Sequence, residues 1–142
     1  MDNNQLIIND ETGVEGLLMA TSDSFCSMVP KTDAEKKSLF KAMNNPDKKV
    51  SDMINLEIEL KDIYSEIVEL ADQKTGEVIK LPRIVLIDSK GIGYQCVSKG
   101  MFSALKKLFQ IYGMPTWEKP IKIKIKSIEK ASDRKVLTFD VI

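Results

Sequence analysis

The sequence contains no histidine, and that absence removes much enzymatic chemistry at once. A Ser-His-Asp or Cys-His nucleophile system cannot be built, and neither can a zinc site with imidazole ligands. Cysteine is nearly as scarce: Cys26 and Cys96 are the only two, whereas an all-cysteine zinc site needs four thiolates. The N-terminal run Met1-Asp2-Asn3-Asn4-Gln5 has no basic segment before an apolar stretch, so no secretory signal is expected. Two thiols in that context fit a cytoplasmic protein with reduced cysteines. Apolar runs are short, Ile84-Val85-Leu86-Ile87 for instance, far below the roughly 18 residues of a membrane span. An enzyme would be left with carboxylate, lysine or magnesium chemistry.

What is present is a chain of 142 residues, enough for one domain with an extension. That length can bury a workable core without disulfides or metal. Its 21 basic and 21 acidic side chains cancel, which at first argues against a polyanionic partner. The cancellation hides a split. Residues 1–79 hold 16 acidic and 8 basic side chains, a net of −8, while residues 80–142 hold 5 acidic and 13 basic, a net of +8. Such asymmetry signals a partner, unless the halves neutralise each other in the fold.

Periodicity divides the chain at about residue 52. Before it, Gln5–Ile8 and Gly16–Ala20 fit short strands around an acidic loop at Asn9–Gly13. Thr32 and Glu35 then form a capping box for a helix with Leu39, Phe40 and Met43 on one face, ended by Asn44-Asn45-Pro46-Asp47. Residues 1–52 are therefore expected to be an extension packed on the domain at 53–142. In that domain Leu56, Ile58 and Leu60 alternate with Glu57, Glu59 and Lys61, and the phase slips near Asp62-Ile63, which predicts a bulge or bend in a long first strand. A turn at Asp72–Gly76 leads to a strand at Val78–Ile87, and Asp88–Gly91 turns into a third at Ile92–Val97. Ser98 caps a helix over 99–112 that Gly113 and Pro115 terminate. Strands at Pro120–Ile128 and Lys135–Ile142, joined by a turn at Ala131–Arg134, close the list. This order makes a mainly β fold, a five-stranded OB-fold barrel with one capping helix and an N-terminal α/β extension, the leading topology. An open sheet with a helix on one face is the competing architecture.

The motifs offer little for catalysis. Gly91-Ile92-Gly93-Tyr94-Gln95-Cys96 begins like a dinucleotide fingerprint, but it lacks the third glycine and enters a strand, so it is a tight turn. Glu57 and Glu59 could hold a metal, yet pairing across strands with Lys122 and Lys124 uses them more simply. No enzyme activity, cofactor or metal is expected. Lys122, Lys124 and Lys126 share one strand face about 7 Å apart and either follow a phosphodiester backbone or form a solvated, salt-bridged face. Lys80, Arg83, Lys90 and Lys119 add charge in or near the loops. Lysines outnumber arginines nineteen to two, and lysine neutralises phosphate without reading base edges. Trp117, between Pro115 and Pro120, together with Tyr94 and Tyr64, are candidate stacking platforms for single-stranded bases, with packing roles as the alternative. Phe102, Phe109 and Tyr112 recur at helical spacing and are expected in the core.

The run from Ile54 to Ile142, with Ile54-Asn55-Leu56-Glu57-Ile58, Leu81-Pro82-Arg83, Gly91-Ile92-Gly93-Tyr94, Phe102-Ser103-Ala104-Leu105 and Pro120-Ile121-Lys122-Ile123-Lys124, resembles small OB-fold single-stranded DNA-binding proteins of bacteriophages and mobile elements of Gram-positive bacteria. The resemblance covers about two-thirds of the chain and rests on strand and turn patterns. It implies a replication accessory that coats and protects displaced single strands in the host-cell cytoplasm. The sequence departs from better-known bacterial relatives in lacking a glycine-rich linker and an acidic tip. Its last residues, Phe139-Asp140-Val141-Ile142, are strand-like, which argues against tail-mediated recruitment.

The leading expectation is thus sequence-nonspecific binding of single-stranded DNA, or of RNA, alongside replication proteins and away from membranes. The alternative is an OB-like interaction module whose acidic half docks on a host replication or repair factor. A third reading has the acidic extension occupying the basic groove until DNA displaces it.

Overall fold

In the computed structural model, which describes residues 24–115, 117–130 and 134–142, the chain forms strand β1 (Ser24–Cys26), helix α1 (Asp33–Asn44), strand β2 (Lys48–Lys49) and a single 3-10 turn (Val50–Met53). Strands β3 (Glu57–Ala71), β4 (Val78–Asp88) and β5 (Gly93–Val97), helix α2 (Lys99–Tyr112), and strands β6 (Ile121–Lys130) and β7 (Arg134–Val141) follow. The expected strands at 5–8 and 16–20, the acidic loop at 9–13 and the turn residues 131–133 lie outside the described residues.

Local chemistry sets the helix ends. The Thr32 hydroxyl accepts the Glu35 amide at 3.1 Å, and the Glu35 carboxylate accepts the Thr32 amide at 3.4 Å, so two orphan donors of α1 are satisfied together. Ser98 caps α2 by accepting the Met101 amide at 3.1 Å. Gly113 ends α2 with a φ of 84°, a left-handed conformation that costs glycine little.

The strands join in the order β2-β5-β4-β3-β6-β7, and β1 pairs with β3 beside that path. The expected phase slip is a register shift in β3 between Leu60 and Asp62. Before it, β3 pairs with β6, Glu57 opposite Lys124 and Glu59 opposite Lys122; after it, β3 runs with β4 to the hairpin turn. The bulged Lys61 reaches sideways and donates its ammonium to the carbonyl of Trp117, pinning the loop that enters β6.

The sheet is curled but open. Among the described residues β5 and β7 do not pair, because the free edge of β5 is taken by β2, which runs parallel with Lys48 opposite Tyr94. The result is a half-barrel, between the closed barrel and the open sheet expected from periodicity. Residues 24–49 are built into it: β1 and β2 add strands, and α1 lies on the sheet.

Alternation gives the sheet two apolar faces. On the inner face Ile58, Leu60, Ile63, Ile84, Leu86, Ile123 and Ile125 pack against Met101, Leu105, Leu108 and Phe109 of α2. Each fully buried aliphatic side chain of this kind contributes about 1.5–3 kcal/mol. On the outer face Tyr64, Val85 and Ile87 are covered by Leu39 and Ala42 of α1, with Met43 half-buried beside them. Phe40, expected on the buried stripe, is instead 66% exposed, because it stands one residue, or about 100°, from Leu39 around the helix. Tyr112 likewise is 48% exposed, while Phe109 is buried and Phe102 half-buried.

Candidate nucleic-acid interface

Strand register decides which of the expected contacts face solvent. Tyr94 stands opposite Leu86, on the inner face, with 6% of its surface exposed. Its hydroxyl donates to Asp88 Oδ2 at 2.8 Å, while Asp88 Oδ1 accepts the amides of Lys90 and Ile92, both at 2.9 Å. Burial and this hydrogen bond to a carboxylate push the phenol up to about 12. Tyr94 therefore braces the β4–β5 turn and leaves no open ring face for a base. Tyr64 is 8% exposed beneath α1, and its hydroxyl donates to Glu66 at 3.0 Å.

Trp117 is half-buried at the rim of the core. Its ring lies 6.3 Å from that of Phe109 at a tilt of 48°, and its indole nitrogen donates to the Tyr112 carbonyl at 3.2 Å. Both handles of the indole are thus engaged within the fold, as in a rim packing residue.

The lysine ladder lies on the outer face, but it is not a bare cationic stripe. Lys124 stands between Glu57 and Asp140 on the neighbouring strands, Lys122 opposite Glu59, and Lys126 opposite Thr138. Three carboxylates therefore interleave with the three lysines, the cross-strand arrangement that stabilises a sheet. Lys119 is exposed in the loop before β6, and Lys80 is exposed on the β3–β4 hairpin opposite Glu69.

Two other members of the expected set meet at helix α1. Arg83 lies on the outer face opposite Glu66; it donates to Glu66 Oε2 at 2.9 Å and to Gln95 Oε1 at 3.2 Å. Together with Phe40, Met43, Asn44 and Tyr64, these side chains line an open depression of about 480 Å³. On the flank of α1 nearer the β4–β5 turn, Lys37, Lys41 and Lys90 border a cleft of about 390 Å³ floored by Gly91, Ile92 and Gly93. Gly93 permits this approach, since an added Cβ would sit 3.1 Å from Ala42 Cβ and 3.2 Å from Pro46. Lys37 and Lys41 hold Asp33 at 3.1 Å and Asp47 at 2.9 Å, exposed pairs worth at most about 1 kcal/mol, which a phosphate can replace.

Phe40, Gln95, Lys37 and Lys41 line these depressions but were not among the residues expected from the sequence. The sequence pattern puts Phe40 on one face with Leu39 and Met43; the signal against it is its offset of about 100° from Leu39 around the helix. Among the described residues no cluster of three or more histidine, cysteine, aspartate or glutamate side chains could hold a metal ion. No helix among them is long and apolar enough to cross a membrane.

The curled β half-barrel thus joins, on its outer face, an exposed ring, a guanidinium and several lysines around helix α1. Residues 19–142 match the model of the phage single-stranded DNA-binding protein family, and the chain belongs to that family. Neither a curated protein nor a solved structure shows a match to this chain.

Proposed function

We propose that this is a non-enzymatic, sequence-nonspecific single-stranded DNA-binding protein that coats and protects displaced strands during phage or mobile-element DNA replication in the host cytoplasm. Its core at 53–142 is an OB-type half-barrel, and residues 1–52 form an extension whose helix completes the binding face. The strand crosses the outer face at α1. Phe40 stacks on a base beside Arg83 and Gln95, and Lys37, Lys41 and Lys90 take phosphates on the other flank.

The observation that carries this placement is that Phe40 and Arg83 border one depression, a stacking surface next to a phosphate-binding group. Nineteen lysines against two arginines support binding that ignores sequence. Trp117, Tyr94 and Tyr64 serve this reading as braces of the fold. Lys80, Lys119, Lys122, Lys124 and Lys126 contribute only to the surrounding potential.

The test is a salt-dependent titration with oligo-dT, a duplex of equal length and single-stranded RNA. Tight binding to oligo-dT with a log–log salt slope of about −0.7 per phosphate contacted supports the reading. Binding to none of the three at low salt overturns it and leaves the docking module of the acidic half in its place.

A further inference from the structure

Arg83 holds two partners in the depression beside α1, donating to Glu66 Oε2 at 2.9 Å and to Gln95 Oε1 at 3.2 Å. A guanidinium carries N–H donors and no acceptor, so Gln95 can face it only with its carbonyl oxygen. That contact fixes the amide. Its Nε2, an NH2 group that only donates, is turned away from Arg83. Lys49 stands beside Gln95 in the parallel β2–β5 register and is exposed, and an ammonium likewise only donates. The Glu66 carboxylate is already engaged at both oxygens, Oε1 by the Tyr64 hydroxyl at 3.0 Å and Oε2 by Arg83. Donors are therefore in excess along this wall, and Gln95 presents one of them in the depression that Phe40 borders. The exposed Asn44 amide on the same rim can turn either edge to a ligand and favours neither.

We infer that Gln95 sets a base preference here: a base stacked on Phe40 is favoured according to the carbonyl oxygens it offers to the Gln95 amide nitrogen. The inference rests on the reading that the strand crosses at Phe40, and it names what that site prefers. Thymine has two carbonyls, cytosine one and adenine none. Glutamine reads adenine with both ends of its amide, the oxygen accepting from the 6-amino group and the nitrogen donating to N7. With the Gln95 oxygen committed to Arg83, the adenine amino group meets donors instead. The order is therefore thymine, then cytosine, then adenine. This is a preference of composition and not a reading of sequence. A base that fails loses one hydrogen bond, while stacking and phosphate contacts remain. Arg83 acts in this as a positioning residue, because it orients the amide.

Oligo-dT, oligo-dC and oligo-dA of equal length, titrated into full-length wild type and three variants, test this. Oligo-dA stacks on itself and so binds any protein less readily, but that cost belongs to the DNA and cancels between variants. The wild type should bind in the order dT, dC, dA. Gln95→Leu should lose about fivefold on oligo-dT and little on oligo-dA, so the ratio of the two affinities falls by about that factor. Gln95→Glu should go further. One carboxylate oxygen stays on Arg83 and the other offers an acceptor where the amide had a donor. Adenine and cytosine should then gain on thymine, although the added charge lowers all three affinities. Arg83→Met leaves Gln95 in place but frees its amide to turn. It should flatten the preference as Gln95→Leu does, and weaken binding throughout. Each variant should keep the wild-type circular dichroism spectrum. A merely structural Gln95 would lower the three affinities together. The proposal is overturned by a wild type that binds oligo-dC as tightly as oligo-dT, by equal ratios in wild type and Gln95→Leu, or by Gln95→Glu ratios that do not shift. Those outcomes leave DNA binding itself intact, whereas failure to bind any of the three overturns the proposed function and this inference with it.

Discussion

Arg83 lies directly opposite Glu66 in the β3–β4 register, and the two are joined by a 2.9 Å ion pair that sits in the floor of the depression beside Phe40. The carboxylate competes with any phosphate for the guanidinium. Replacing it by an amide, Glu66→Gln, keeps an acceptor for Arg83 and Tyr64 but removes the charge. Oligo-dT affinity should therefore rise by about 1 kcal/mol, roughly fivefold. Fluorescence titration checks the affinity, and urea unfolding should show a small loss of stability from the broken pair. A fall in affinity would place the DNA elsewhere.

Phe40 separates function from stability, because so exposed a ring contributes little to the core. Phe40→Ala should weaken oligo-dT binding by about 1–3 kcal/mol. Its unfolding free energy should stay within about 0.5 kcal/mol of wild type. Phe40→Trp should restore binding, and its indole should be quenched when a base stacks on it.

Much of the β core was legible because a period of two leaves a clear mark. The alternation around Ile58 and Ile123 identified the strands, and the phase slip at Asp62 located the bulge. The order of charges on those strands anticipated Glu57 and Glu59 opposite Lys124 and Lys122. The proposed binding face was far less legible. A helix stripe such as the expected Leu39-Phe40-Met43 implies that α1 is covered, but not by which sheet face, so the depression at Arg83 could not be foreseen. Tyr94 was misleading for a related reason: alternation puts it on one face with Cys96, and only pairing with Leu86 shows that this face is the core. Strand β2, two residues long, is too short to show any period. Yet β2 is what occupies the edge of β5 and leaves the barrel open.

Gly100 is where α2 crosses β7. A Cβ there would lie 2.2 Å from Val136 Cγ1 and 2.6 Å from the Leu137 carbonyl oxygen, and the backbone atom cannot move aside. Helix propensity alone would make Gly100→Ala stabilising by about 1 kcal/mol. Overpacking of this kind costs about 1–3 kcal/mol, so the sign should reverse. Thermal and urea unfolding decide between the two effects, and a stabilised variant would mean that α2 does not sit this close to β7.

Alkaline pH should loosen the fold through two buried phenols and one half-buried thiol. Burial pushes the Cys96 thiol from 9.0 up to about 12, and it is also the main cause that raises Tyr64 and Tyr94 from 10.0 to about 12, with hydrogen bonds to Glu66 and Asp88 adding to it. A group whose native pKa lies above its unfolded value holds its proton longer in the folded chain. Its contribution is complete below the unfolded value and is lost as the pH climbs to the native one. Stability should therefore be level with respect to these groups below pH 9, decline as the unfolded thiol ionises, and fall more steeply between about 10 and about 12. Tyr94→Phe should cost about 1–2 kcal/mol at neutral pH, since it removes a donor to a buried carboxylate. It should also make the fall above pH 10 shallower, since of the two raised phenols only Tyr64 is then left to titrate. Urea midpoints measured from pH 7 to pH 11.5 on both proteins test the two effects together, and parallel curves would show that Tyr94 is not the brace described.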